Sequence, residues 1–173
     1  FVGELALTGA LRGVPGAISS AMEAIKVGRK MVISHENSPE VGLIGGSDCL
    51  IATDLQEVCA FLEGRHSLTH PLSEGESSDE AAVDLHDVIG QQQGKRALEI
   101  IAAGGHNLLM IGPPGTGKTM LASRLPGLLP PLSNQEALES AAILSLVDSR
   151  HVIKNWRRRP FRSPHHSASL AAM

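Results

Sequence analysis

The sequence predicts an α/β protein in two parts, and three observations carry that expectation. Short apolar runs alternate with helix-period stretches from Phe1 to Gly64, a polar stretch follows, and a second strand, loop and helix pattern begins near Asn107. With 173 residues, 42% of them apolar and 19% charged, the chain can bury a core and carries too little charge to stay disordered.

Taken in order, Glu4 to Thr8 reads as a strand, Gly9 as a turn and Leu11 to Val14 as a second strand. A helix from about Gly16 puts Ile18, Ala21, Met22 and Ile25 on one face, and Gly28 stops it. Met31 to Ser34 and Cys49 to Thr53 are the next strands. Asp54 then caps a helix, Glu57 closes the capping box, and Leu55, Val58, Cys59 and Leu62 form the expected buried stripe up to Gly64. Residues 1–64 make a thin α/β layer on their own, so further strands ahead of Phe1 are expected.

Residues 65–80, RHSLTHPLSEGESSDE, are polar, contain Pro71 and Gly75 and lack an apolar period, so they read as a linker between two domains, 1–64 and 81–173. His66 and His70 are four apart, but Pro71 and the lack of a third ligand nearby make them solvated loop histidines.

A net charge of −3 hides two segregated blocks. Glu74, Glu76, Asp79, Glu80, Asp84 and Asp87 fall in a stretch without Lys or Arg. Arg150, Lys154, Arg157, Arg158, Arg159 and Arg162 follow the last acid, Asp148. The aromatics are Phe1, Phe61, Phe161 and Trp156, too few for a platform on which single-stranded bases stack, so any nucleic-acid contact is electrostatic. Cys49 and Cys59 show neither CxxC nor zinc spacing, which suits a reducing, cytoplasmic setting. The longest uncharged run, Ile100 to Gly117, is broken by glycines, prolines, His106 and Asn107, so no membrane span is expected. No leader opens the chain, and Met173 closes it in an apolar stretch, as in a piece of a longer protein.

The second part carries the chemistry. The apolar run Asn107 to Gly112 enters Gly112, Pro113, Pro114, Gly115, Thr116, Gly117, Lys118 and Thr119, and a helical stretch Met120 to Leu125 follows. The string matches G-x-x-x-x-G-K-[ST] in full. A loop whose backbone N–H groups turn inward around phosphate needs glycines that accept unusual φ/ψ. Lys118 is placed to reach β- and γ-phosphates, and the Thr119 hydroxyl to bind Mg²⁺, so ATP and Mg²⁺ are the expected ligands. Upstream, Asp84 to Gln92 leads into a helix from about Gln91 to Ala103 with Ala97, Ile100 and Ile101 as its buried stripe.

Hydrolysis also needs a strand carboxylate that holds Mg²⁺ and a glutamate that activates water. Ile143 to Asp148, ILSLVD, ends in an acid, but Ser149 follows it. Ser133 and Glu136 form a capping box, and Ala137, Leu138, Ala141, Leu144 and Val147 continue at helical spacing, so this segment reads as a helix. The acidic strand, sensors and arginine finger are expected beyond Met173, and this stretch alone is expected to hold nucleotide without cleaving it efficiently.

Two resemblances add to this reading. GELALTGALRGVPGAISSAMEAIKVGRKMVI resembles the second half of a Lon-type protease domain, in which a lysine at the start of the helix partners the catalytic serine. The matching position is occupied by Ile18, or nearby by Ala17 or Ser19, and none of these is a lysine. The resemblance therefore implies an inactive domain, because a serine–lysine dyad needs an amine within hydrogen-bond reach.

RPFRSPHHSAS (159–169), with GQQQGKRALEIIAAGGHNLLMIGPPGTGKTMLASRLPGLLPPL, is similar to the magnesium-chelatase-like AAA+ ATPases of ComM/YifB type. That resemblance implies part of a Lon-like domain followed by the first part of a P-loop AAA+ αβα domain. It places Val88, Ile89 and Gly90 against adenine. It further implies an ATP-dependent motor subunit, a homo-hexamer when full length, acting on branched or single-stranded DNA during natural transformation. A nucleotide-gated scaffold or remodeller and a magnesium chelatase subunit stay open as alternatives. His165 and His166, being adjacent, point apart on any regular element and suit a structural or pore-facing role rather than a shared metal. The basic run before them suits either DNA phosphates or a neighbouring subunit.

Overall fold

A computed structural model describes residues 1–72 and 84–164. The chain divides into two compact units: Phe1–Ser78 with Ser133–Arg157, and Asp79–Leu132 with Arg158–Met173. The mixture of helices and small sheets agrees with an α/β class. The acidic residues Glu74 to Glu80 and the pair His165 and His166 lie outside the described residues.

In the first unit, β1 (Glu4–Leu5) and β2 (Leu11–Arg12) form an antiparallel hairpin, with Glu4 opposite Arg12. The first strand is shorter than expected because Gly9, at φ +87°, turns the chain and its N–H donates to the Ala6 carbonyl. β3 (Met31–Ser34) and β4 (Cys49–Ala52) pair in parallel, Met31 opposite Cys49, and Val2 extends the sheet beside Ile33.

β3 is buried at all four positions, as a parallel strand covered on both faces should be. Its alternation decides what packs where. Met31 and Ile33 face Ala17 and Ala21 of α1 (Ala17–Lys26) and Val41 of α2 (Ser38–Gly42). Val32, on the opposite side, meets Val58 of α3 (Leu55–Leu62) and Leu68. Gly28, at φ +65°, ends α1 with its N–H on the Ile25 carbonyl, while the Arg29 N–H reaches Ala24.

Asp54 caps α3 by accepting from the Glu57 N–H at 2.9 Å, and the Glu57 carboxylate accepts from the Thr53 N–H at 2.7 Å. The expected stripe of α3 is only partly buried. Val58 is covered, whereas Leu55, Cys59 and Leu62 stay exposed along an apolar groove shared with Phe1 and Leu11. The paired sheet is two strands wide, about 10 Å, which covers little more than one helix diameter.

Residues 133–157, which the sequence reading assigns to the second domain, lie in the first unit. The capping box of Ser133 and Glu136 opens α7 (Asn134–Leu144) with both reciprocal bonds in place. The helix ends before Val147, which is exposed. Asp148 then caps α8 (Ser149–Lys154), accepting from the N–H groups of Arg150 and His151. Ala141 and Val152 close over Ile18 and Leu43, with Met22 and Trp156 at the edge. Helical spacing foretells that α7 has a buried face; it does not say what will cover it.

The second unit starts with a 3-10 turn at Leu85–Asp87, capped by Asp84, and continues into α4 (Gln92–Gly104). Its buried position is Leu98, with Ile101 packed beside it, while Ile100 is exposed, so the stripe differs from the expected Ala97, Ile100 and Ile101. Gly94 explains the shift. A Cβ there would stand 2.8 Å from Leu121, so the glycine admits Leu121 against the Gly94–Leu98–Ile101 line.

The expected strand at 107–112 has no regular secondary structure and no ladder partner among the described residues, and Leu109 and Ile111 are 82% and 87% exposed. Its alternating apolar side chains have no sheet neighbours to cover them. The helix expected over Met120 to Leu125 instead begins at Lys118 as α5 (Lys118–Ala122), and α6 (Leu125–Leu128) follows. Pro126 has no N–H to give, which separates the two short helices. No helix among the described residues is long and apolar enough to cross a membrane.

Candidate functional site

The loop 112–119 is shaped by its glycines. Gly115 and Gly117 have φ of +82° and +81°, a region that side chains with a Cβ rarely enter, so the two peptides around Thr116 can turn where other residues would be strained. Thr116 Oγ1 donates to the Pro113 carbonyl at 3.0 Å and closes the turn from within.

Lys118 folds back over this loop. Its Nζ donates to the carbonyls of Gly112 at 2.9 Å and Pro113 at 2.8 Å, and lies 3.2 Å from Thr116 Oγ1. A single ammonium is thereby centred on the loop by three uncharged acceptors, a position from which it can exchange them for anionic oxygens. Thr119 is exposed on the first turn of α5. Gly112 through Thr116 are exposed as well, while Gly117 and Lys118 are half-buried, so most of the string is open to a ligand. Leu121, one turn on, is buried with Leu85, Val88 and Leu98 and anchors α5 to the unit.

The segment expected beside adenine is brought next to the loop, with its residues in different roles. Val88 is buried in that same core, Ile89 is 96% exposed, and Gly90 adopts φ +71°. Ile89 therefore offers its side chain, while Val88 and Gly90 can offer only backbone. The sequence reading missed Gln91, whose φ of +54° is unusual for a residue with a side chain and whose Nε2 donates to the Thr116 carbonyl at 3.2 Å. Its signal in the sequence is the Gly-Gln pair that closes the segment resembling the adenine-packing stretch of AAA+ ATPases, and that pair is also compatible with an ordinary helix start.

The other candidates separate cleanly. Asp148 is a helix cap, not a strand carboxylate. Ile18, the residue on which the Lon-type resemblance turns, is fully buried. His70 sets its Nδ1 3.0 Å from the Cys49 carbonyl and His66 is exposed, and among the described residues no group of three or more His, Cys, Asp or Glu could hold a metal. Of the basic run, Arg159 donates from Nε to the Pro130 carbonyl at 2.7 Å.

A second polar centre lies in the first unit. Asn37 accepts from the Val14 N–H and donates to the Val14 carbonyl, both at 2.9 Å, and also donates to Glu40, which is buried. Glu40 Oε2 has no partner. Desolvation lifts the Glu40 carboxyl above its ordinary value of 4.5, and the Asn37 hydrogen bond opposes the lift. The folded state therefore holds this proton more tightly than the unfolded chain. That stabilisation is complete below the unfolded value and is lost as pH rises through the folded one. Glu40→Gln, which mimics the neutral acid, should raise stability at pH 8 and leave it nearly unchanged near pH 4. Urea unfolding at the two pH values measures this.

The family model described as magnesium chelatase, subunit ChlI, matches residues 84–173. Over 173 residues the chain is 72% identical to YifB of Salmonella typhimurium and 72% identical to YifB of Escherichia coli K12, covering all of this chain and 34% of each relative. It is 49% identical over 178 residues to the competence protein ComM of Haemophilus influenzae, covering all of this chain and 35% of that protein. The chain thus spans about a third of the length of these curated relatives.

Proposed function

We propose, since this chain belongs to the magnesium chelatase subunit ChlI family and to its ComM/YifB-type members, that it forms the nucleotide-binding part of an ATP-driven AAA+ motor subunit. The observation that carries this reading is the complete phosphate-loop string in a receptive shape: two left-handed glycines, and Lys118 held centrally by groups that a phosphate can replace.

In this reading the backbone N–H groups of 115–119 face the phosphates. Lys118 binds β- and γ-oxygens, the Thr119 hydroxyl holds Mg²⁺, and Val88, Ile89 and Gly90 flank adenine. Bound there by Thr119, Mg²⁺ would supply neutralisation of the phosphate charge. Residues 1–64 are a degenerate Lon-like portion without peptidase activity, 65–80 a linker, and 81–173 the start of the AAA+ module. Helices α7 and α8 belong to that module in sequence and pack with the Lon-like portion in space. The full-length protein works in the cytoplasm as a hexamer.

ComM is named a competence protein. On that likeness, and on the six bases between Arg150 and Arg162, we assign branched or single-stranded DNA as the substrate of translocation. Branched DNA should raise the steady-state ATPase rate of the full-length protein severalfold, with the stimulation fading as salt increases. An unchanged rate at low salt would remove DNA from the account and favour a scaffold or a chelatase subunit.

A further inference from the structure

Gln91 is the N-cap of α4, yet it does none of the usual work of a cap. Such residues take extended backbone and turn their side chain onto the first N–H groups of their own helix. Gln91 has φ 54° and ψ 36°, makes no side-chain cap bond, and sends its amide to the Thr116 carbonyl instead. A carbonyl can be met only by the Nε2 end, so the orientation of the amide is settled by its partner. Gln91 thus stands in the left-handed region, which residues with a β-carbon rarely enter, while its amide reaches the phosphate loop.

The geometry of a peptide says what that bond accomplishes. The Thr116 carbonyl and the Gly117 N–H belong to one planar trans unit and point in opposite directions. Holding the carbonyl on Gln91 therefore holds the Gly117 N–H on the face of that peptide opposite Gln91. Gly117, flanking this peptide at φ +81°, would otherwise let the plane rotate freely. Thr116 Oγ1, bound to the Pro113 carbonyl, restrains the side chain of that residue but not the peptide that follows it.

We infer that Gln91 is a positioning residue that locks the Thr116–Gly117 peptide with its N–H aimed at a bound phosphate, and so ties the segment flanking the base to the loop holding the triphosphate. This rests on the nucleotide reading above and adds a residue to it. Because Gln91 acts on the loop, its removal should weaken inorganic tripolyphosphate as much as ATP.

The test uses Gln91→Gly in the full-length protein, with ATP–Mg²⁺ and tripolyphosphate–Mg²⁺ titrated by calorimetry and thermal unfolding followed in parallel. Glycine accepts the left-handed backbone, so the unfolding midpoint should rise or hold while affinity for both ligands falls about tenfold, the loss of one hydrogen bond to an ordered loop. A purely structural role would move stability and affinity together. Gln91→Glu, equal in length and unable to donate, should lose the same affinity. Unchanged affinity in Gln91→Gly, beside a clear loss in Lys118→Ala, overturns the inference and leaves the site standing. A loss for ATP alone also overturns it, by assigning Gln91 to the base. Equal binding by wild type and Lys118→Ala removes the site itself, and the inference with it.

Discussion

Lys118→Ala is expected to weaken ATP–Mg²⁺ binding by roughly a hundredfold, about 3 kcal/mol, while leaving thermal stability nearly unchanged. The first half follows from charge: the ammonium is centred on the loop, and a triphosphate loses its partner when the side chain goes. The second half follows from exposure. The carbonyls of Gly112 and Pro113 that Lys118 serves lie at the surface, so water replaces its hydrogen bonds at little cost. Calorimetric titration together with a melting curve checks both halves, and a large fall in stability would mean that the lysine is a structural strut.

Ile18→Lys is expected to unfold or severely loosen the first unit, at a cost of about 3–5 kcal/mol, and to create no peptidase. The substitution introduces the residue type that the Lon-type resemblance calls for near this position, so it tests that resemblance against the packing observed. Ile18 is fully buried among Leu43, Ala141 and Val152, and a lysine there would bring a charge among apolar side chains that offer it no partner. Ser19, next in the chain, already donates to the Ala142 carbonyl at 3.1 Å. Denaturant unfolding and a serine-reactive probe test the two parts. A stable variant that labels covalently would show that the socket under α7 and α8 can still serve as a dyad.

What could be read in advance was chiefly local. Asp54 and Ser133 announce helix starts through short-range hydrogen bonds, Gly28 announces a stop, and the eight residues of the phosphate loop announce their chemistry because few other uses need that pattern. What escaped reading depended on partners distant in sequence. The stripe of α4 moved to Leu98 because Gly94 lets Leu121 approach, and 107–112 kept the composition of a strand without gaining a ladder. The apolar face of α7 was legible, but its cover, α1, lies more than a hundred residues earlier in the chain. The hydrogen bond of Gln91 to the loop was hidden for another reason: it depends on a backbone angle, and glutamine has no preference that announces a left-handed cap.

The central claim, that 112–119 and 88–91 form one nucleotide site, is tested most directly by amide hydrogen exchange on the full-length protein with and without ATP–Mg²⁺. Protection should rise at 115–119 and at 88–91 together, and both changes should vanish in Lys118→Ala. Protection confined to other segments, or unchanged exchange at the loop under saturating nucleotide, would contradict it.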